Sequence, residues 1–92
     1  MIITTGESIE GKRVVEYKGL AFAKHGASDL NWLSDKPKYQ EFYATWVKEA
    51  EELLKTNAES LGANAVIGVR QEVLRSPGMV ILVLIGTAVV VE

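Results

Sequence analysis

The chain has 92 residues, of which 48% are hydrophobic, with a net charge of −2 and no cysteine. That is the length of one domain, spanning residues 1–92, and its basic residues cluster nowhere beyond Lys12-Arg13 and Lys36-Pro37-Lys38, which argues against a nucleic-acid partner. The lack of cysteine removes disulfides, thiolate metal sites and cysteine nucleophiles together, and it fits a reducing, cytoplasmic setting.

Met1 to Thr5 reads as a short strand ahead of the turn-prone Gly6-Glu7-Ser8, with no basic-then-apolar pattern of a signal peptide. From Arg13 to Lys24 strand formers dominate. Simple alternation puts Val15, Tyr17, Gly19, Ala21 and Ala23 on one face and Val14, Glu16, Lys18, Leu20, Phe22 and Lys24 on the other. Gly19 in the middle predicts a bulge or a close backbone approach. His25 to Pro37 is expected to be a loop rich in turn residues, holding Leu30, Trp32 and Leu33, with Ser34 or Asp35 as the N-cap of a helix.

That helix is predicted from about Lys36 to Leu61. Its apolar stripe is Tyr39, Phe42, Tyr43, Trp46, Val47, Ala50, Leu53, Leu54, Ala58 and Leu61, and Gly62 ends it as a left-handed cap. Glu41, Lys48, Glu52, Lys55 and Glu59 form the solvated face. Ala65 to Arg75 resumes strand character, and Ser76-Pro77-Gly78 is a tight type II turn that makes the last two strands a hairpin. The helix is long enough to cross between the strands at 13–24 and 65–75, which would run parallel if adjacent. The expected fold is therefore α+β, a β-α-β-β subunit with one helix packed on a three-stranded sheet.

The stretch from Met79 to Val91 is apolar at nearly every position, the pattern of a strand buried on both faces. One helix covers one face of a sheet, so the other face calls for apolar cover from a second copy of the chain. Val80, Leu82 and Leu84 are the expected interface residues of that homo-oligomer. The run is also shorter than the roughly 20 residues of a spanning helix, so no membrane partner is expected.

Leu61-Gly62-Ala63-Asn64-Ala65-Val66-Ile67-Gly68-Val69 resembles the signature of the small YbjQ-like family, which carries a heavy-metal-binding label. Thr4-Thr5, Ile9-Glu10-Gly11 with Val14 to Gly19 after it, and Gly86-Thr87-Ala88-Val89 agree with it. The chain departs from the family pattern at Gly26-Ala27-Ser28, where members begin a longer glycine-rich segment. The resemblance implies a dodecin-like subunit fold assembled into a ring of five with the sheets facing inward. The metal label transfers poorly, because zinc and softer metals take three or four thiolate or imidazole ligands and this chain offers only His25.

The sequence holds no catalytic constellation. His25, Ser28 and Asp29 crowd into five consecutive residues, unlike a triad assembled across a fold. The glycines match no phosphate or dinucleotide loop, so no cofactor is named. His25 is a loop histidine that a ring would repeat about its axis, making it the one metal candidate. Arg70 and Glu72 share a face of a strand, as interface charges or the lining of a ligand pocket. Trp32 is either an interface anchor or a pocket wall, whereas Trp46 lies on the core stripe. The reading is a binding or scaffolding homo-oligomer that takes a small molecule or metal ion at His25, Trp32, Arg70 and Glu72. The alternative is an enzyme with a composite interface site of Lys24, His25, Arg70 and Glu72.

Overall fold

The computed structural model describes residues 1–28 and 36–92, and over 27–28 and 36–42 it describes the backbone alone. The elements are β1 (Ile2–Ile3), β2 (Val14–Ser28), α1 (Lys36–Ser60), β3 (Ala65–Ser76) and β4 (Met79–Val91). They form an α+β unit in which one helix lies on a four-stranded mixed sheet of order β1-β3-β4-β2. The three-stranded expectation is corrected by β1, whose Ile2 and Ile3 pair in parallel with Ala65 and Val66. Three more bonds, Thr4 N–H to the Val66 carbonyl, Val69 N–H to the Thr4 carbonyl and Gly68 N–H to the Gly6 carbonyl, extend that pairing past the strand itself.

β2 and β3 are not neighbours. The apolar β4 lies between them and pairs antiparallel with both, so β2 and β3 run in the same direction without touching. The most apolar strand takes the centre because it alone can have both ladders and one whole face dried at once. The longest dimension is 46 Å, close to the length of a 13- to 15-residue strand at about 3.3 Å per residue.

The helix buries Trp46, Ala50, Leu54 and Ala58 against Ala21 and Ala23 of β2, Val80, Leu82, Leu84 and Ala88 of β4, and Val66 of β3. Small residues on β2 let the helix sit close to it. Leu53 and Leu61, expected on the buried stripe, are exposed instead. The helix ends in a Schellman motif: Ala63 N–H donates to the Ala58 carbonyl at 3.1 Å and Gly62 N–H to the Glu59 carbonyl at 2.9 Å, with Gly62 at φ +84°. The hairpin turn is Pro77-Gly78, with Gly78 at φ +76°, as a type II turn requires.

Bulges decide which residues share a face. The β2–β4 register shifts between Val14 and Glu16 and again between Tyr17 and Gly19, where Gly19 has φ +112°. Each adds one residue to β2, and the simple alternation read from the sequence fails there. Val14, Tyr17, Leu20, Phe22 and Lys24 end on the face away from the helix, opposite Val91, Val89, Thr87, Ile85 and Val83. A third shift between Ile67 and Arg70, beside Gly68 at φ +61°, does the same for β3.

Candidate functional site

The sheet has one covered face and one largely free face. At one end the free face carries a small second core of Ala65, Ile67, Val89 and Val91, with Ile9 and Val14 packed on it. Beyond that, Tyr17, Leu20, Phe22, Leu74, Met79 and Ile85 are exposed. Phe22, at 55% exposure, and Leu20, at 67%, lie in register beside Ile85 and Thr87 of β4. These side chains make one face of the sheet largely apolar, crossed by the row of Lys24, Val83 and Glu72, and exposed apolar area of this kind marks an interaction site.

Val80, Leu82 and Leu84, expected at an oligomer interface, lie beneath the helix in the chain's own core. The period of two sends their neighbours Ile81, Val83 and Ile85 to the free face. Lys24, Arg70 and Glu72 also stand on the free face: the register aligns Phe22, Ile85 and Arg70 in one cross-strand row and Lys24, Val83 and Glu72 in the next.

His25 is not with them. It falls on the helix side, in the row of Leu82 and Val73, because it comes directly after Lys24 with no intervening bulge. Its position is in β2, which runs on to Ser28, rather than in the loop expected from the sequence. There its Nε2 meets Glu49 Oε2 of the helix at 2.6 Å, with the side chains 36% and 58% exposed. The imidazole lies 6.5 Å from the Trp46 ring, which in turn meets Tyr43 edge-on at 6.3 Å. Gln71 of β3 donates from Nε2 to the Tyr43 hydroxyl. The helix is therefore tied to β2 through His25 and Glu49 and to β3 through Tyr43 and Gln71, with the Trp46 ring between the two contacts. Glu49 was hidden in the sequence among helix carboxylates interleaved with lysines; its one signal is that it lies three residues beyond Trp46, on the next turn.

A shallow cleft of about 160 Å³ opens where the helix leaves β3 uncovered, lined by Ile3, Thr4, Thr5, Glu51, Val69, Gln71 and Leu84. Among the described residues, no three of His, Cys, Asp and Glu converge in the way a metal centre needs. Trp32, Leu30, Leu33, Asp29 and the Ser34 or Asp35 cap lie outside the described residues.

The signature stretch has a structural explanation residue by residue. Gly62 caps the helix, and Asn64 grips the last strand: its Oδ1 accepts from Val91 N–H at 2.8 Å, its Nδ2 donates to the Val91 carbonyl at 3.0 Å, and its own N–H donates to the Val89 carbonyl at 3.0 Å. Gly68 turns the bulge. Opposite it, buried Gly86 leaves room for Val66 and Val69, whose methyls would lie 2.6 and 3.0 Å from a Cβ placed there. These residues hold helix, β3 and β4 in one arrangement.

Residues 1–92 match the family model described as the YbjQ-like domain of C2 domain-containing protein 5. The chain belongs to the YbjQ-like family. It is 41% identical to a UPF0145 protein of Clostridium kluyveri and 42% identical to one of Acetivibrio thermocellus, in both cases covering 100% of each chain. It is 38% identical to a UPF0145 protein of Pasteurella multocida, again over 100% of each. The Clostridium alignment spans 106 positions, more than the 92 residues of this chain, so this YbjQ-like relative carries residues without a counterpart here. A solved structure from Pediococcus pentosaceus, described as a protein of unknown function of the DUF74 family, superposes with a TM-score of 0.69 at 24% identity, covering 100% of this chain and 98% of that one. That similarity shows the shared fold. No described helix of this YbjQ-like protein is long and apolar enough to cross a membrane.

Proposed function

We propose that this YbjQ-like protein is the subunit of a cytoplasmic homo-oligomer, a ring of five on the family resemblance, that binds a small ligand between its subunits or serves as a scaffold. The observation that carries the reading is the free face of the sheet. Leu20, Phe22, Leu74 and Ile85 stand exposed there, while Ala21, Ala23, Val80, Leu82, Leu84 and Ala88 on the other face of β2 and β4 are packed under the helix. Burying apolar surface stabilises by about 25 cal/mol per Å², so covering such a face with copies of the chain is strongly favourable.

The free face sets the chemistry of a bound molecule. It offers apolar area with Lys24, Arg70 and Glu72 at its margins, which suits a flat, partly apolar ligand bearing charge at its edge. His25 suits an axial metal ion poorly, because in a ring whose free faces turn inward the helix side points away from the axis. Its imidazole is also engaged by Glu49. An enzyme site composed of Lys24, His25, Arg70 and Glu72 has less support, since the sheet separates His25 from the other three.

Native mass spectrometry of the protein purified without added ligand tests this. A five-fold assembly carrying a discrete extra mass is the expected result for a binding ring, and a five-fold assembly without one leaves the scaffold role. A species of one subunit mass at all concentrations overturns the proposal.

A further inference from the structure

The charges on the free face indicate how copies meet. Lys24, Arg70 and Glu72 are exposed, and among the described residues none of them forms an ion pair within its own subunit. Lys24 and Glu72 occupy one row with Val83 between them, two strand spacings or about 10 Å apart. The adjacent row sets Phe22 on β2 against Arg70 on β3, with Ile85 between. The two outer long strands thus carry complementary groups at matching heights.

Matching heights select the symmetry of the contact. A rotation about an axis parallel to the strands keeps every row at its own height and brings the β2 side of one copy beside the β3 side of the next. Lys24 then meets Glu72, and the Phe22 ring meets the Arg70 guanidinium, a favourable cation–π arrangement. A two-fold axis perpendicular to the strands would set β2 against β2 and β3 against β3, and no Lys24 would face a Glu72.

We propose that copies associate head to tail about an axis parallel to the strands, with β2 of each subunit against β3 of the next and with Lys24–Glu72 and Phe22–Arg70 as the paired groups at each seam. The proposal rests on the homo-oligomer reading above and specifies its contact. A head-to-tail contact of this kind closes into a ring when the rotation divides a full turn. The apolar residues supply the attraction. The ion pair fixes the height at which the strands meet, since like charges at an interface are far more costly than a correct pair is favourable.

Charge reversal and its rescue test the seam. In K24E and in E72K every seam carries two like charges, and each variant should raise the concentration for half-assembly by about tenfold or more relative to the unmodified chain. The double variant K24E/E72K restores opposite charges at every seam and should recover assembly at the original concentration. Both side chains are exposed in the subunit, so far-UV circular dichroism should be unchanged in all three. Single variants that assemble like the unmodified protein, or a double variant no better than the singles, overturn the proposed seam while leaving the homo-oligomer intact. An unmodified chain that stays monomeric overturns the homo-oligomer itself.

Discussion

Replacing Gly86 with alanine isolates the packing that joins β3 to β4. A Cβ at position 86 would lie 2.6 Å from Val66 Cγ1, 3.0 Å from Val69 Cγ2 and 3.1 Å from the Ile67 carbonyl oxygen. The methyl of Val66 would have to move by roughly 1 Å to reach an ordinary carbon contact of 3.5–4.0 Å. Val66 is fully buried beneath the helix, and the Ile67 carbonyl is backbone. Overpacking of this kind costs about 1–3 kcal/mol. Against it stands the gain from a less flexible unfolded chain, about 0.4–1 kcal/mol for glycine to alanine where φ is compatible, and Gly86 is not among the positive-φ glycines. At the middle of both ranges the clash wins by about 1.3 kcal/mol, which for a domain of this size lowers Tm by about 5–10 °C at 4–8 °C per kcal/mol. Thermal unfolding monitored by circular dichroism, at one fixed protein concentration because assembly would otherwise shift Tm, measures it. An unchanged or raised Tm would refute the reasoning, showing that Val66 and Val69 can yield without loss.

Asn64→Ala removes both side-chain bonds to the Val91 backbone and should cost about 1–3 kcal/mol in urea unfolding, with an unchanged m-value. Gly62→Ala forces a side chain into φ +84° at the helix cap and should cost about 1 kcal/mol, read from the same denaturation midpoint. Leu54→Ala empties a fully buried site under the helix and should cost about 2–5 kcal/mol, the largest loss in this set. His25→Ala should leave the fold and the state of assembly intact, with a stability loss under about 1 kcal/mol because the pair with Glu49 is half exposed; loss of assembly on gel filtration would assign His25 a structural role at an interface.

The elements were legible in the sequence because their signals are local. The three-and-four spacing of Tyr43, Trp46, Ala50, Leu54 and Ala58 placed the helix, and Gly62 and Pro77-Gly78 placed its end and the hairpin turn with their backbone geometry. Gly19 was readable as a bulge. What alternation could not reveal was the consequence of that bulge and its companions: each extra residue exchanges the faces of the strand beyond it, so Tyr17 sits with Leu20 and Phe22 instead of with Ala21 and Ala23. The same period-of-two arithmetic separates Leu82 and Leu84, which the helix buries, from Val83 and Ile85, which it does not. A uniformly apolar run carries no mark of which alternate set faces which layer.

The fourth strand was legible only as a short extended stretch, since Ile2 and Ile3 gain their partner from β3, more than sixty positions away. The candidate site shows the same division. Arg70 and Glu72 were rightly placed on one face because they are two apart on one strand. The sequence grouped Lys24 with them only in the composite-site alternative, and the position of β4 between β2 and β3 is what sets all three on one face. The His25–Glu49 contact joins residues on different elements, and nothing local in either neighbourhood points to the other. The family signature turned out to encode architecture: a cap, a clamp on the last strand and a bulge.

Sedimentation velocity of the unmodified protein over a broad concentration range tests the central claim most directly. On the proposed reading the free apolar face of the sheet is covered by further copies of the chain, which predicts a discrete species several times the 10.1 kDa mass of one chain, five-fold on the family resemblance. A single species at 10.1 kDa across the whole range would contradict it, and would mean that this sheet is stable with Leu20, Phe22 and Ile85 facing water.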